Sequence, residues 1–148
     1  MIIPAHVAHL PLITAGVSDI GRRELAEVYG MTPEESVRRN LAASSESWTM
    51  FAGADALAMF GVAPISLISR QGEFWIVSTT HICNHRLAFA RMCRQFLPRL
   101  LRDWDEVLGV LEHNRADVVR WAEWLGVQIT PRNDRLSEMR LCLKPLES

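Results

Sequence analysis

The sequence predicts a single α/β domain over residues 1–148, with a mixed but mostly antiparallel central sheet and helices on both of its faces. The main observation is the order of apolar segments: a strand, two or three helices, three strands, a long helix, a strand, a helix and two closing strands. A length of 148 residues suits one domain. The composition, 49% apolar and 22% charged, is typical of a folded globular chain.

Helix signals dominate the first 45 residues, after a short strand predicted at residues 2–5. The clearest is the run Thr32-Pro33-Glu34-Glu35, where a hydroxyl cap, a proline in the first turn and two acids form a capping box. This helix is predicted to reach about residue 43. Two earlier helices are predicted at residues 7–16 and 20–29, the second with N-cap oxygens from Ser18 and Asp19 and with Gly30 after its end.

The middle of the chain reads as three strands followed by a long amphipathic helix. Apolar positions at intervals of three and four over residues 84–104, with arginines opposite, indicate the helix, with Pro98 near its polar side. Gly53-Ala54-Asp55 has the chemistry of a hairpin turn, and residues 70–72 are expected in a loop. The predicted strands are residues 47–52, 56–62, 74–80, 107–111, 127–130 and 139–143, and the last helix is residues 114–125.

The composition argues against several classes of function. A formal net charge of −1 provides no overall field toward nucleic acid, which is therefore not an expected partner. No apolar run reaches the roughly 20 residues that span a bilayer, so no membrane span is expected. Three cysteines without a framework spacing, and a start without a basic and then apolar segment, favour a reducing cytoplasm without a secretory signal peptide.

The element order, with the segment from Asn114 to the Leu125-Gly126 pair, resembles the GNAT N-acetyltransferase superfamily. In more detail the chain resembles GNAT-like proteins of tailed phages and prophages, related to the internal virion protein of short-tailed phages. The residues that carry this resemblance are Ala58-Met59-Phe60-Gly61-Val62, Trp75-Ile76-Val77-Ser78-Thr79-Thr80, and His113-Asn114 with Arg120-Trp121-Ala122-Glu123-Trp124-Leu125-Gly126-Val127.

The resemblance implies a place for a cofactor, and the sequence departs from the family there. A GNAT enzyme holds the CoA pyrophosphate on glycine-bearing backbone amides before the long helix. Residues 79–85, Thr-Thr-His-Ile-Cys-Asn-His, contain no glycine. No cofactor is therefore expected, or acetyl-CoA if the chain is an active transferase. The candidate cofactor-binding residues are Val77, Ser78, Thr79, Asn84 and Asn114.

The resemblance also implies an acid that reprotonates the thiolate, often a tyrosine in the helix after the fifth strand. Trp121 and Ala122 stand there instead, and Tyr29 is the one tyrosine of the chain. The candidate bases for deprotonating an amine are Glu73, Glu112 and His113, near strand ends. The alternative is that Glu112 and His113 are solvated or capping residues.

Three further patterns have both structural and functional interpretations. In an extended segment His81, Cys83 and His85 would face one way, as metal ligands do, but no second pair accompanies them and no metal is expected. The arginines at 86, 91, 94, 99 and 102 could meet an acidic partner, or form a solvated face balanced by Asp103, Asp105 and Glu106. Trp121 and Trp124 favour a packed stripe, whereas an exposed tryptophan would indicate an interface.

Two functions follow from these observations and the resemblance. The first is a virion-associated or protein-binding module of a phage or prophage with a degenerate acetyl-CoA site. Its partners would be other phage or virion proteins or copies of itself, and it would be found in the host bacterial cytoplasm or the virion. The second is an active N-acetyltransferase that moves an acetyl group from acetyl-CoA to an amine.

Overall fold

The computed structural model describes residues 1–66, 68–112, 116–131 and 136–141. These residues form seven strands and five α-helices, with short helical turns at Val7–His9, Leu25–Tyr29 and Thr80–Asn84. In chain order the elements are β1 (Ile2–Pro4), α1 (Leu10–Gly16), α2 (Asp19–Glu24), α3 (Pro33–Ala43), β2 (Glu46–Ala52), β3 (Asp55–Pro64), β4 (Gln71–Ser78), α4 (Arg86–Leu101), β5 (Glu106–Glu112), α5 (Ala116–Leu125), β6 (Gln128–Pro131) and β7 (Leu136–Leu141).

The strands form one sheet in the order β1-β2-β3-β4-β5-β7-β6. The pairs β1–β2, β2–β3, β5–β7 and β6–β7 are antiparallel, and β4–β5 is parallel, as a strand–helix–strand crossover requires. This confirms the predicted fold class, a mixed and mostly antiparallel sheet accompanied by helices. No helix among the described segments is both long and apolar enough to cross a membrane.

The chain divides into two compact units, the first of which comprises residues 1–63 and 75–92. Its core joins α1 and α3 to β3 and to the second half of β4. Ile13 and Val37 are fully buried there, and Trp75 donates its indole N–H to the Ser44 hydroxyl at 2.6 Å. The buried members of this cluster are Leu10, Ile13, Val17, Val37, Ala56, Met59, Trp75 and Val77.

The second unit comprises residues 64–74 and 93–148. Val107 and Ala122 are fully buried in it, and Gly109 lies so near Met139 that an added Cβ would fall 2.6 Å from its Cε. Cys93 of α4 is half-buried, and burial raises the pKa of its thiol to about 12 against the opposing effect of a hydrogen bond with Trp121.

The clearest differences between the predicted and observed element boundaries are those of β4 and α4. The strand expected at residues 74–80 runs instead over Gln71–Ser78, so Gln71 and Gly72 are strand residues rather than loop. Its early start follows from parallel pairing of Gln71 with Glu106 and Gly72 with Val107. The helix expected to start at Asn84 begins at Arg86, after a separate turn at Thr80–Asn84.

Candidate functional site

The turn between β4 and α4 is the segment on which a GNAT enzyme would hold its cofactor, and here it is anchored by Thr79. This residue leaves only 5% of its surface exposed. Its hydroxyl donates to the Ala56 carbonyl at 2.6 Å, and its backbone N–H donates to the Leu57 carbonyl at 2.9 Å. Both bonds hold the start of the turn on strand β3.

The backbone amides that follow are also engaged within the turn. His81 donates its N–H to the Thr79 hydroxyl at 3.3 Å, and Ile82 donates to the Thr79 carbonyl at 3.3 Å. His85 then donates to the Ile82 carbonyl at 3.0 Å. Because residues Thr80–Asn84 form a tight 3₁₀ helix, these N–H groups are satisfied internally, unlike amides that cradle a phosphate.

Helix α1 closes the turn from its other side. Gly16, the last residue of α1, is so near Thr79 that an added Cβ would fall 2.7 Å from the Thr79 Cβ and 2.8 Å from its methyl carbon. Real Cβ atoms do not approach this closely. Glycine at position 16 therefore permits the close contact that buries Thr79. The turn itself contains no glycine, whereas α1, which packs against it, ends in one.

The candidate cofactor-binding residues fall into different environments. Val77 is a core residue, whereas Ser78 and Asn84 are exposed. Thr79 is committed to β3 as described, and Asn114 lies outside the described residues. Their role in cofactor binding remains a prediction. The first N–H groups of α4 have no acceptor within the helix, so they are the backbone donors next to this turn that could bind an anion.

The candidate bases are not brought together by strand pairing. Glu73 is exposed in β4, opposite Leu108 of β5 in the parallel ladder. Glu112 ends β5, four residues beyond Leu108, which is about 13 Å along the strand. His113 follows outside the described residues, and Trp121, at the place expected for an acid, is half-buried. Catalysis by Glu73, Glu112 or His113 stays a prediction.

The two histidines of the turn converge on the hairpin between β2 and β3. His85 Nε2 lies 3.0 Å from one carboxylate oxygen of Asp55, and His81 Nδ1 lies 3.8 Å from the other. The extended backbone on which a metal site at His81, Cys83 and His85 would depend is not present, because the segment is helical, and Cys83 is exposed without joining this contact. Within the described part of the chain, no three acidic, histidine or cysteine side chains form a metal-binding group.

One titratable residue that the sequence patterns missed is His9, at the start of α1. Its Nδ1 accepts the backbone N–H of His6 at 3.1 Å and lies 2.8 Å from the buried hydroxyl of Thr49. The ring meets Phe51 edge to face. Burial, and secondarily the charge of His6, lower the pKa of His9. These contacts join separate elements, so no local motif indicates them.

Comparisons with known proteins identify the fold. No family profile and no curated protein sequence matches the chain. Among solved structures, the spermidine N-acetyltransferase from Vibrio cholerae in complex with CoA and spermine superposes with a TM-score of 0.68 at 13% identity, over 95% of this chain and 93% of that one. The ribosomal-protein-S18-alanine N-acetyltransferase from Escherichia coli gives a TM-score of 0.65 at 11% identity, over 100% and 97% of the two chains.

These similarities show that the chain has the GNAT N-acetyltransferase fold. At 11 to 13% identity they show the fold alone, because one fold supports many chemistries. One of these solved structures contains CoA, so the fold accommodates that cofactor in the relative. Whether this chain does so depends on its own turn at residues 79–85.

Proposed function

We propose that this chain is a GNAT-fold binding module with a degenerate acetyl-CoA site, rather than a transferase. The observation that supports it most directly is the hydrogen bonding of the turn between β4 and α4. The N–H groups of Thr79, His81, Ile82 and His85 all have acceptors inside the protein. A pyrophosphate would have to displace them to gain the donors that it needs.

The energetic argument against such displacement has two parts. Each internal hydrogen bond contributes about 1 kcal/mol, and opening the turn would also expose the anchored hydroxyl of Thr79. In addition, β-branched side chains at Thr80 and Ile82 disfavour the left-handed backbone that a phosphate loop often uses. A glycine-containing loop meets neither cost.

The proposal further specifies that the binding module belongs to a phage or prophage and is associated with the virion. The resemblance to virion-associated proteins lies in β3, β4 and α5, and it includes buried residues such as Met59, Val62 and Trp75. Partners would then be other virion proteins or further copies of the chain. Mass spectrometry of purified particles from an induced source strain should detect its peptides, and their absence from particles would contradict virion association.

CoA titration tests the proposal directly. We expect no binding by calorimetry, and no shift of the thermal midpoint, at about 2 mM CoA. A bound ligand at 100 times its Kd would instead add about 2.7 kcal/mol of stability. The Vibrio cholerae spermidine N-acetyltransferase in the same buffer is the positive control. Saturable binding to this chain would overturn the closed-turn proposal.

The second candidate is an active N-acetyltransferase that moves an acetyl group from acetyl-CoA to an amine. It is favoured by the similarity to a structure solved with CoA and by the start of α4, where the first N–H groups of a helix have no acceptor within that helix. Incubation with acetyl-CoA and spermidine, or with an alanine-terminated peptide, should then give an acetylated product by mass spectrometry. Product formation above the uncatalysed rate would establish this candidate instead.

A further inference from the structure

One exposed surface of the second unit combines cationic and aromatic side chains. The Arg94 guanidinium of α4 lies over the indole of Trp124 in α5, 4.4 Å from the ring centroid. Arg120 lies one helical turn before Trp124 and is exposed. Five residues beyond Arg94, and so on a different side of α4, Arg99 lies over the Phe96 ring at 5.6 Å. Arg94, Arg120 and Trp124 are called the arginine–indole surface below.

Trp124 distinguishes this surface from an ordinary solvated face. The sequence favoured a packed stripe of Trp121 and Trp124, but Trp124 leaves 42% of its surface exposed whereas Trp121 is half-buried beside Cys93. An exposed tryptophan is uncommon on a surface that meets only water. Tryptophan and arginine are also the residues that most often dominate protein interfaces.

The acids expected to balance the arginines of α4 are paired elsewhere. Asp103 lies 3.9 Å from Arg102, and Asp105 lies 3.8 Å from Arg70. Glu106 pairs with Arg140 and accepts a hydrogen bond from Gln71.

The expected balance therefore holds for Arg102, which follows the end of α4. Of the side chains that the structure describes, none provides a carboxylate partner for Arg94, Arg99 or Arg120, although Glu123 is also exposed on α5. Helix α4 itself contains four arginines and no acid. Among the described side chains of this unit, the positive charge of the surface therefore has no acidic partner.

The stacked geometry indicates which anion would fit. A guanidinium with its face against an indole keeps its N–H donors along the edge, where a carboxylate can accept two of them. On the side of the indole that Arg94 covers, no nucleobase can stack.

We propose that the arginine–indole surface docks an acidic segment of a partner protein, with carboxylates on Arg94 and Arg120 and apolar contact on the free edge of Trp124. This inference deepens the binding role proposed above and rests on it for the partner being a protein. It does not depend on the turn at residues 79–85. Peptide docking on this surface and CoA binding at the turn can therefore be measured independently of each other.

The test uses the full chain and a fluorescein-labelled glutamate-rich peptide of about 12 residues, followed by anisotropy at low salt. Saturable binding below about 1 mM is expected, weakening as salt screens the charges. Arg94→Gln, Arg120→Gln and Trp124→Ala should each weaken it about tenfold, the size expected for one lost charged hydrogen bond. Arg39→Gln, which removes an exposed arginine of α3, is the matched control and should change it less than twofold.

Three results would overturn the proposal: no saturable peptide binding, equal weakening in Arg39→Gln, or tighter binding of a thymidine oligonucleotide of equal length through the same residues. Thermal midpoints of all variants should agree within a few degrees, because surface substitutions rarely cost stability. The CoA titration is measured on the same samples. If neither the peptide nor CoA binds, the docking proposal for the arginine–indole surface is contradicted, and the proposal that the turn does not bind CoA still stands.

Discussion

At the scale of single residues, Thr79 decides what the turn before α4 can do. Its hydroxyl donates to Ala56 and accepts from the His81 N–H, while its methyl group contacts Gly16. One side chain thus joins β3, α1 and the turn. A threonine hydroxyl in this position performs internally the acceptor role that a phosphate oxygen performs in a cofactor loop.

Thr79→Val should reduce the free energy of unfolding by about 1–3 kcal/mol, because it leaves the buried carbonyl of Ala56 and the His81 amide without this partner. Urea denaturation measures the change. Thr79→Ser is the matched control, since it keeps the hydroxyl and loses one methyl group. A serine variant less stable than the valine variant would show that packing on Gly16, and not hydrogen bonding, holds the turn.

The lowered pKa of His9 gives the stability a pH dependence of defined sign. The folded state resists protonation of this ring, whereas the unfolded chain takes up a proton near the ordinary value of 6.5. Its contribution to stability is therefore complete above pH 6.5 and is lost as the pH falls through the lowered pKa. Urea denaturation between pH 8 and 5 should show this decline, and His9→Asn, which does not titrate, should reduce it. An identical decline in the variant would exclude His9.

At the scale of elements, the sequence predicts what is local and misses what depends on tertiary partners. Ser18 and Thr32 cap their helices as their positions indicate, and Gly30 and Gly126 adopt the left-handed backbone that ends a helix. The early start of β4 was missed because pairing with β5 draws Gln71 and Gly72 into the sheet. The absence of glycine in residues 79–85 was visible, but the closure of that segment by Gly16 was not.

Helix α4 contains Pro98 on its exposed side, and this element offers a direct test of helix strain. Pro98→Ala should raise the free energy of unfolding by about 1–2 kcal/mol, because it restores an N–H for the Arg94 carbonyl at a modest entropic cost in the unfolded state. Gln95→Ala, at an exposed position of the same helix, should change it by less than about 0.5 kcal/mol. A decrease in stability for Pro98→Ala would mean that the helix depends on the proline geometry.

At the scale of the whole molecule, the chain superposes on two N-acetyltransferases with TM-scores of 0.68 and 0.65 although only 13% and 11% of the residues are identical. Much of what remains alike is what a sheet and its packed helices require. The candidate site depends instead on a few amides and side chains whose partners lie on other elements. The fold class was therefore predictable from the pattern of apolar segments, whereas the hydrogen bonding of the turn between β4 and α4 depends on tertiary contacts that the sequence does not indicate.

The contact between Gly16 and Thr79 constrains how this protein can change. A glycine introduced into the turn would free the backbone, but the anchored Thr79 would still direct the neighbouring amides inward. Replacing Thr79 alone would leave an unfilled space beside Gly16 and an unsatisfied strand carbonyl. An open form of this turn would therefore require substitutions on two elements, α1 and the turn, and replacement of Thr79 alone would lower the stability. The contact between Gly16 and Thr79 thus couples the backbone of the turn to the packing of α1.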